Sequence, residues 1–75
     1  MTSIYLEQYR LVIHTLKEVR IKQNITQEKL AQALNRPQSF IAKVESGERQ
    51  LDVVEFVHIA RLLSINPETV VKKIK

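Results

Sequence analysis

Apolar residues recur every three or four positions along almost the whole chain. That is the period of a helix, not the alternation of a strand. From Ser3 to Gln23, the positions Leu6, Tyr9, Val12, Ile13, Leu16, Val19 and Arg20 keep this spacing and predict a first helix over 3–23. Asn24 is expected to close it, since asparagine accepts the left-handed conformation that ends helices. Ile25 then returns to the core as an anchor. Thr26 reads as the N-cap of a second helix, and Glu28 suits the positive end of its dipole. Leu30, Ala31 and Leu34 share its inner face, and it stops at Asn35. Asn35-Arg36-Pro37 forms a tight turn, with Pro37 placed as the first residue of a third helix that runs to Glu45. Ile41 and Val44 face inward there, and Ser46-Gly47 ends it.

After a loop over 48–51, Asp52-Val53-Val54-Glu55 has the capping-box pattern, in which the cap and the acid three residues on each satisfy an orphan amide. It opens a fourth helix over 52–63, with Phe56, Ile59, Ala60 and Leu63 on one side. Asn66-Pro67-Glu68 opens a fifth over 67–73, with Val70 and Ile74 inward. Lys72, Lys73 and Lys75 stand at its negative end, where cations are favoured. No segment reads as a strand, repeat or linker. The expected architecture is all-α: five helices in one compact domain over 1–75.

Composition narrows what such a domain can be. The chain has 75 residues, no cysteine and a single glycine. The missing cysteines exclude a disulfide scaffold and a cysteine-based zinc site, and one glycine is too few for the turns of an all-β domain. A chain this small buries only about 60% of its unfolded surface, enough for one core but not for a walled reaction pocket. No run reaches the roughly 18 apolar residues of a membrane span, and the N-terminus lacks the basic and apolar regions of a secretory signal. A cytoplasmic protein is expected. The net charge of +4 permits an acidic partner without identifying one.

Residues 26–45 meet the geometry of a helix-turn-helix, two short helices joined by a tight turn. Ala31 sits where the helices cross, and only a small side chain lets the backbones approach. Gln38, Ser39, Ala42 and Lys43 are left with no core to fill. The ordered text Thr26-Gln27-Glu28-Lys29-Leu30-Ala31, Leu34-Asn35, Ile41-x-x-Val44-Glu45-Ser46-Gly47-Glu48-Arg49, Leu51-Asp52 and Ile59-Ala60-x-x-Leu63 resembles the phage-repressor (Cro/XRE-like) helix-turn-helix family. Upstream, Leu16-Lys17-x-x-Arg20 fits as well, so the resemblance covers about residues 9–71. Two departures stand out. Asparagine occupies positions 24 and 35, where the family usually has glycine, and Pro37 replaces the serine or threonine that usually precedes the recognition helix.

The resemblance implies a sequence-specific regulator of double-stranded DNA, a repressor acting as a homodimer on a pseudo-palindromic operator. It assigns base contacts in the major groove to Gln38, Ser39, Phe40 and Lys43. For Phe40 two roles stay open: the ring lies against a thymine methyl, or it packs beside the turn. Contacts to the DNA backbone fall to Gln27, Arg36, Ser46, Gly47 and Arg49, and Arg20 and Glu45 correspond to a structural ion pair between the first and third helices. Val57, Leu62, Val71 and Ile74 are too many to be fully buried in so small a core and are assigned to a dimer surface on the last two helices.

Other chemistry finds little support. His14 and His58 lie far apart and are placed on exposed helix faces, so no metal is expected. No nucleophile elbow or glycine-rich phosphate cradle occurs, and neither a cofactor nor an enzymatic activity is expected. Alternatives on the same scaffold are an antitoxin-type protein with a toxin partner, a restriction–modification controller, and a protein-interaction module.

Overall fold

A computed structural model describes residues 4–74. Ser3, the expected start of the first helix, and Lys75 lie outside the described residues. Within them the chain forms five helices and no strand: α1 (Ile4–Lys22), α2 (Gln27–Ala33), α3 (Gln38–Ser46), α4 (Val53–Leu62) and α5 (Pro67–Val71).

The helix starts follow local chemistry. Thr26 Oγ1 accepts from the Lys29 amide at 3.0 Å and caps α2. The capping box of α4 is complete. The Glu55 amide donates to Asp52 Oδ1 at 2.7 Å, and the Asp52 amide donates to Glu55 Oε1 at 3.1 Å. Asn66 Oδ1 accepts from the Glu68 amide, with Pro67 at the first helical position of α5. Pro37 differs from expectation. Its ψ of 154° is extended, so it is the N-cap of α3 and the helix begins at Gln38.

Three helices end in the same way. Asn24, Asn35 and Ser64 adopt φ of 59°, 58° and 58°. At each, the left-handed residue donates to the carbonyl three back, and the next residue donates to the carbonyl five back: Ile25 to Arg20, Arg36 to Ala31 and Ile65 to Ala60. This is the Schellman arrangement, which satisfies carbonyls that a helix end leaves open. The two asparagines were legible in the sequence; Ser64 was not, because serine rarely takes this conformation.

α5 stops at Val71, two residues before the expected Lys73. Lys73 and Ile74 continue only with bonds to the carbonyls three residues back. This turn takes Ile74 out of the inward register expected for it, and the residue is 38% exposed. Lys72 meets Glu68 at 3.8 Å in open solvent, a pair of little energetic weight.

The core is the convergence of the inner helix faces. Val12, Ile13 and Leu16 of α1 meet Leu30 and Ala31 of α2, Phe40, Ile41 and Val44 of α3, Ile59 and Ala60 of α4, Leu63, and Val70 of α5. Ile41, Leu63 and Val70 are essentially inaccessible. Burial of each contributes roughly 1.5–3 kcal/mol. Side chains tie the periphery: Tyr9 Oη accepts from the Leu51 amide at 3.0 Å, and Gln23 Nε2 donates to the Leu63 carbonyl.

The polar exception in the core is Arg20, 8% exposed. Its Nε donates to Glu45 Oε2 at 2.7 Å and its Nη2 to Glu45 Oε1 at 3.0 Å, while Nη1 donates to the Ile25 carbonyl at 2.7 Å. Gln27 Nε2 adds a bond of 2.9 Å to Glu45 Oε1. One carboxylate of α3 is thus held by α1 and α2 together. A buried pair is sustained only when its partners are hydrogen-bonded, and removing one partner strands a charge.

Two outcomes follow for stability. Arg20→Met is expected to cost about 3–5 kcal/mol in denaturant unfolding, and Arg20→Met combined with Glu45→Leu should recover much of that loss; equal losses in the single and double variants would refute the coupling. Ser64→Gly relieves left-handed strain of about 1–2 kcal/mol and adds roughly 0.5–1 kcal/mol of unfolded-state entropy. A net gain of about 0.5–1 kcal/mol is therefore expected, and a loss would contradict it.

Candidate nucleic-acid interface

α2 and α3 are joined by residues 34–37, and the crossing is as close as Ala31 allows, a residue 1% exposed. On α3 the sequence separates two faces. Phe40, Ile41 and Val44 are buried. Gln38, Ser39, Lys43 and Ser46 are exposed, with Ala42 half-buried among them. These positions fall at i, i+1, i+4, i+5 and i+8, one continuous stripe of a helix. Four of the residues expected to face outward thus share one surface.

The flanks of that stripe are basic. Arg36 lies just before α3 and Arg49 just after it, with side chains 43% and 38% exposed. Lys43 stands between them. Of the two acids in contact with these elements, Glu45 is turned inward to Arg20, while Glu55 reaches across from α4 to Arg36 and Arg49 and offsets one of their two charges. Glu48 is exposed beside this surface.

Ser46 Oγ donates to the Lys43 carbonyl, and Gly47 ends α3 with φ of 88°. A Cβ built on Gly47 meets nothing within 4 Å, so its conformation rather than crowding requires glycine. Gln27 is half-buried and braces α3 through Glu45.

Phe40 packs into the core. It is 6% exposed, and the guanidinium carbons of Arg36 and Arg49 lie 4.4 and 4.8 Å from its ring centroid. The ring is thus packed within its own chain, the second of the two roles left open for it, and is not part of the exposed stripe. The sequence left both roles open because position 40 borders the exposed stripe on one side and the core on the other.

Glu55 was missed. Its place in the capping box hid a second role, for its Oε2 accepts from Arg36 Nη2 at 2.7 Å and from Arg49 Nη2 at 2.9 Å. The contact to Arg36 spans 19 residues, and no local pattern reports it.

Of the four apolar residues assigned to a dimer surface, Leu62 and Ile74 border different grooves. Leu62 and Val71 are 41% and 49% exposed, and Val57 is half-buried. Leu62 borders a groove with Ala33, Leu34, His58 and Arg61, whereas Ile74 borders another with Tyr9, Val12, Val53 and Phe56. Val53 and Val54, at 78% and 62%, are more exposed than any of the four.

His14 and His58 are exposed, and His14 pairs with Glu18 one turn along α1. Among the described residues no three histidine, cysteine or acidic side chains gather as a metal site. No helix there is long and apolar enough to cross a membrane.

Known proteins share this arrangement. The sequence profile of the family described as Helix-turn-helix matches residues 16–70, from the last turns of α1 into α5. A solved structure, an XRE-family like protein from Pseudomonas syringae pv. tomato str. DC3000, is 39% identical to the chain. Its TM-score is 0.89, and the match covers 95% of this chain and 87% of that one. No curated protein sequence is significantly similar. With the α2–turn–α3 unit, the inward ion pair and the exposed α3 stripe in place, the chain belongs to the XRE-type helix-turn-helix family of DNA-binding regulators.

Proposed function

We infer that the chain is a sequence-specific reader of double-stranded DNA that represses transcription as a homodimer on a pseudo-palindromic operator. One observation carries this reading: α3 presents Gln38, Ser39 and Lys43 outward between Arg36 and Arg49, while Glu45 on the same helix is turned inward. A polar stripe flanked by cations fits the major groove, where base edges offer hydrogen bonds between two phosphate walls.

Each side chain has a role by its chemistry. Gln38 pairs with adenine through N6 and N7, and Ser39 bonds to a neighbouring base edge. Lys43, about one turn along, reaches guanine O6 and N7 or a phosphate. Gln27, Arg36, Ser46, Gly47 and Arg49 contact the backbone and fix the register of α3. Arg20 and Glu45 touch no DNA in this reading; they set the direction in which α3 faces. The function is binding, and no catalytic group takes part.

A two-fold dimer places the α3 helices of two copies about 34–36 Å apart, one turn of DNA. The apolar residues of α4 and the α5 region, Val57, Leu62, Val71 and Ile74, supply the contact in this reading; Val71 and Leu62 are the most exposed of them. Occupancy of a site overlapping a promoter then blocks polymerase.

Selection of bound sequences from random duplexes at two salt concentrations tests this reading, with enrichment of an inverted repeat expected and no enrichment contradicting it. Against the selected site, Gln38→Ala is expected to cost about 1–3 kcal/mol and to relax discrimination at one base position. Lys43→Ala, if it loses a phosphate contact, lowers the salt slope by about 1. Val71→Glu is expected to give a monomer in sedimentation equilibrium and to weaken operator binding; a wild-type chain that is already monomeric on its operator refutes the dimer.

A further inference from the structure

The capping box does not account for the whole environment of Glu55. Its Oε1 serves the box. Its Oε2 is shared by two guanidiniums, from Arg36 before α3 and Arg49 after it. Both guanidiniums also lie over the Phe40 ring. The Glu55 side chain is 14% exposed, so the acid is inside and the bases are outside. Two like charges are held side by side, with one acid between them. The cluster therefore keeps one uncompensated positive charge, two arginines against one glutamate.

For stability alone this is a poor arrangement. Like charges at close range repel, and two long side chains lose rotamer freedom. Half-exposed ion pairs return about 0–1 kcal/mol each. Arg49 Nε is, in addition, buried without a hydrogen-bond partner among the described residues. Position, not the number of hydrogen bonds, decides where that guanidinium sits. Each guanidinium gives a single hydrogen bond to Glu55, and the two side chains stay 43% and 38% exposed with further donors unspent. Two planar donor sets with a surplus charge match a tetrahedral anion with several acceptor oxygens.

We propose that Glu55 and Phe40 are positioning residues for DNA-backbone binding: they hold Arg36 and Arg49 as a paired fork that takes one phosphodiester of the duplex. The proposal rests on the DNA-binding reading above. Glu55 supplies the shared anchor, and the Phe40 ring supplies a flat surface on which guanidiniums stack. Holding the fork in advance removes the entropy that two free arginines would lose on binding. The ring belongs to the first turn of α3, so the bound phosphate lies next to the turn that carries Gln38 and Ser39. It thereby sets their depth in the groove. In this arrangement Phe40 aids recognition without touching a base.

The test turns on a sign. Removing an acid from a DNA-binding surface ordinarily tightens binding, because net positive charge rises. Glu55→Gln is expected to do the opposite. The full-length variant should bind a mixed-sequence duplex at low salt roughly three- to tenfold more weakly than wild type. Its circular dichroism should be unchanged, because glutamine also completes a capping box. The double variant Arg36→Lys, Arg49→Lys keeps every charge but loses the planar fork, and it should weaken binding by a similar factor. Equal or tighter binding by either variant, when folded, overturns the proposal.

A readout on the free protein separates this idea from the DNA reading itself. Side-chain NMR of the arginine Nε–H groups should show Arg36 and Arg49 ordered in wild type and averaged in Glu55→Gln. Unchanged spectra overturn the positioning role. A wild-type chain that binds no duplex, despite the ordered arginines, instead overturns the DNA-binding premise and the fork's assigned ligand with it.

Discussion

The Glu45 carboxylate is the fixed point of this fold. It lies on α3, yet its three hydrogen-bond donors come from α1 and α2: Arg20 Nε, Arg20 Nη2 and Gln27 Nε2. A charge in a nearly closed site tolerates no loose geometry, because every unpaired donor or acceptor there carries a desolvation cost. The hydrophobic core alone sets distances between helices, since apolar contact has little directionality. The bidentate pair adds a direction. With the buried face of Ile41 and Val44, it fixes the rotation of α3 about its own axis, and so determines which residues look outward.

That rotation also sorts charge. Around α3 the acids in contact with basic residues, Glu45 and Glu55, are 8% and 14% exposed, while the arginines on its flanks are several times more so. A chain with a net charge of only +4 thereby acquires a locally basic face. Fields at a surface depend on where charge is placed more than on the total. The same two acids have structural tasks as well, one joining three helices and one closing the cap of α4. Stability and electrostatic aim are thus served by the same side chains.

Much of this was legible in the sequence, for identifiable reasons. Helix positions follow from apolar period and from caps that act within four residues, so Thr26, Asp52, Asn66, Asn24 and Asn35 could be read directly. The α3 stripe followed by subtraction, once Ile41 and Val44 were assigned to the core. The misses are of two kinds. Pro37 and Ile74 were displaced by a turn end that shifted by one or two residues, a scale at which local patterns compete closely. Ser64 is local too: the pattern of bonds that closes α1 and α2 also closes α4 there, on a residue type that seldom turns left-handed. Phe40 and Glu55 depend instead on neighbours brought together by the fold, since two arginines lie over the Phe40 ring and both reach Glu55. No spacing rule encodes those contacts.

The central claim is that DNA meets the outward face of α3. Amide NMR of the labelled chain, titrated with its selected duplex, tests this most directly. The largest shifts should fall on Gln27, on Gln38, Ser39, Ala42 and Lys43, and on Ser46, Gly47 and Arg49, with the buried face of α1 nearly still. Shifts centred on α1 or α5, with α3 unmoved, would contradict it.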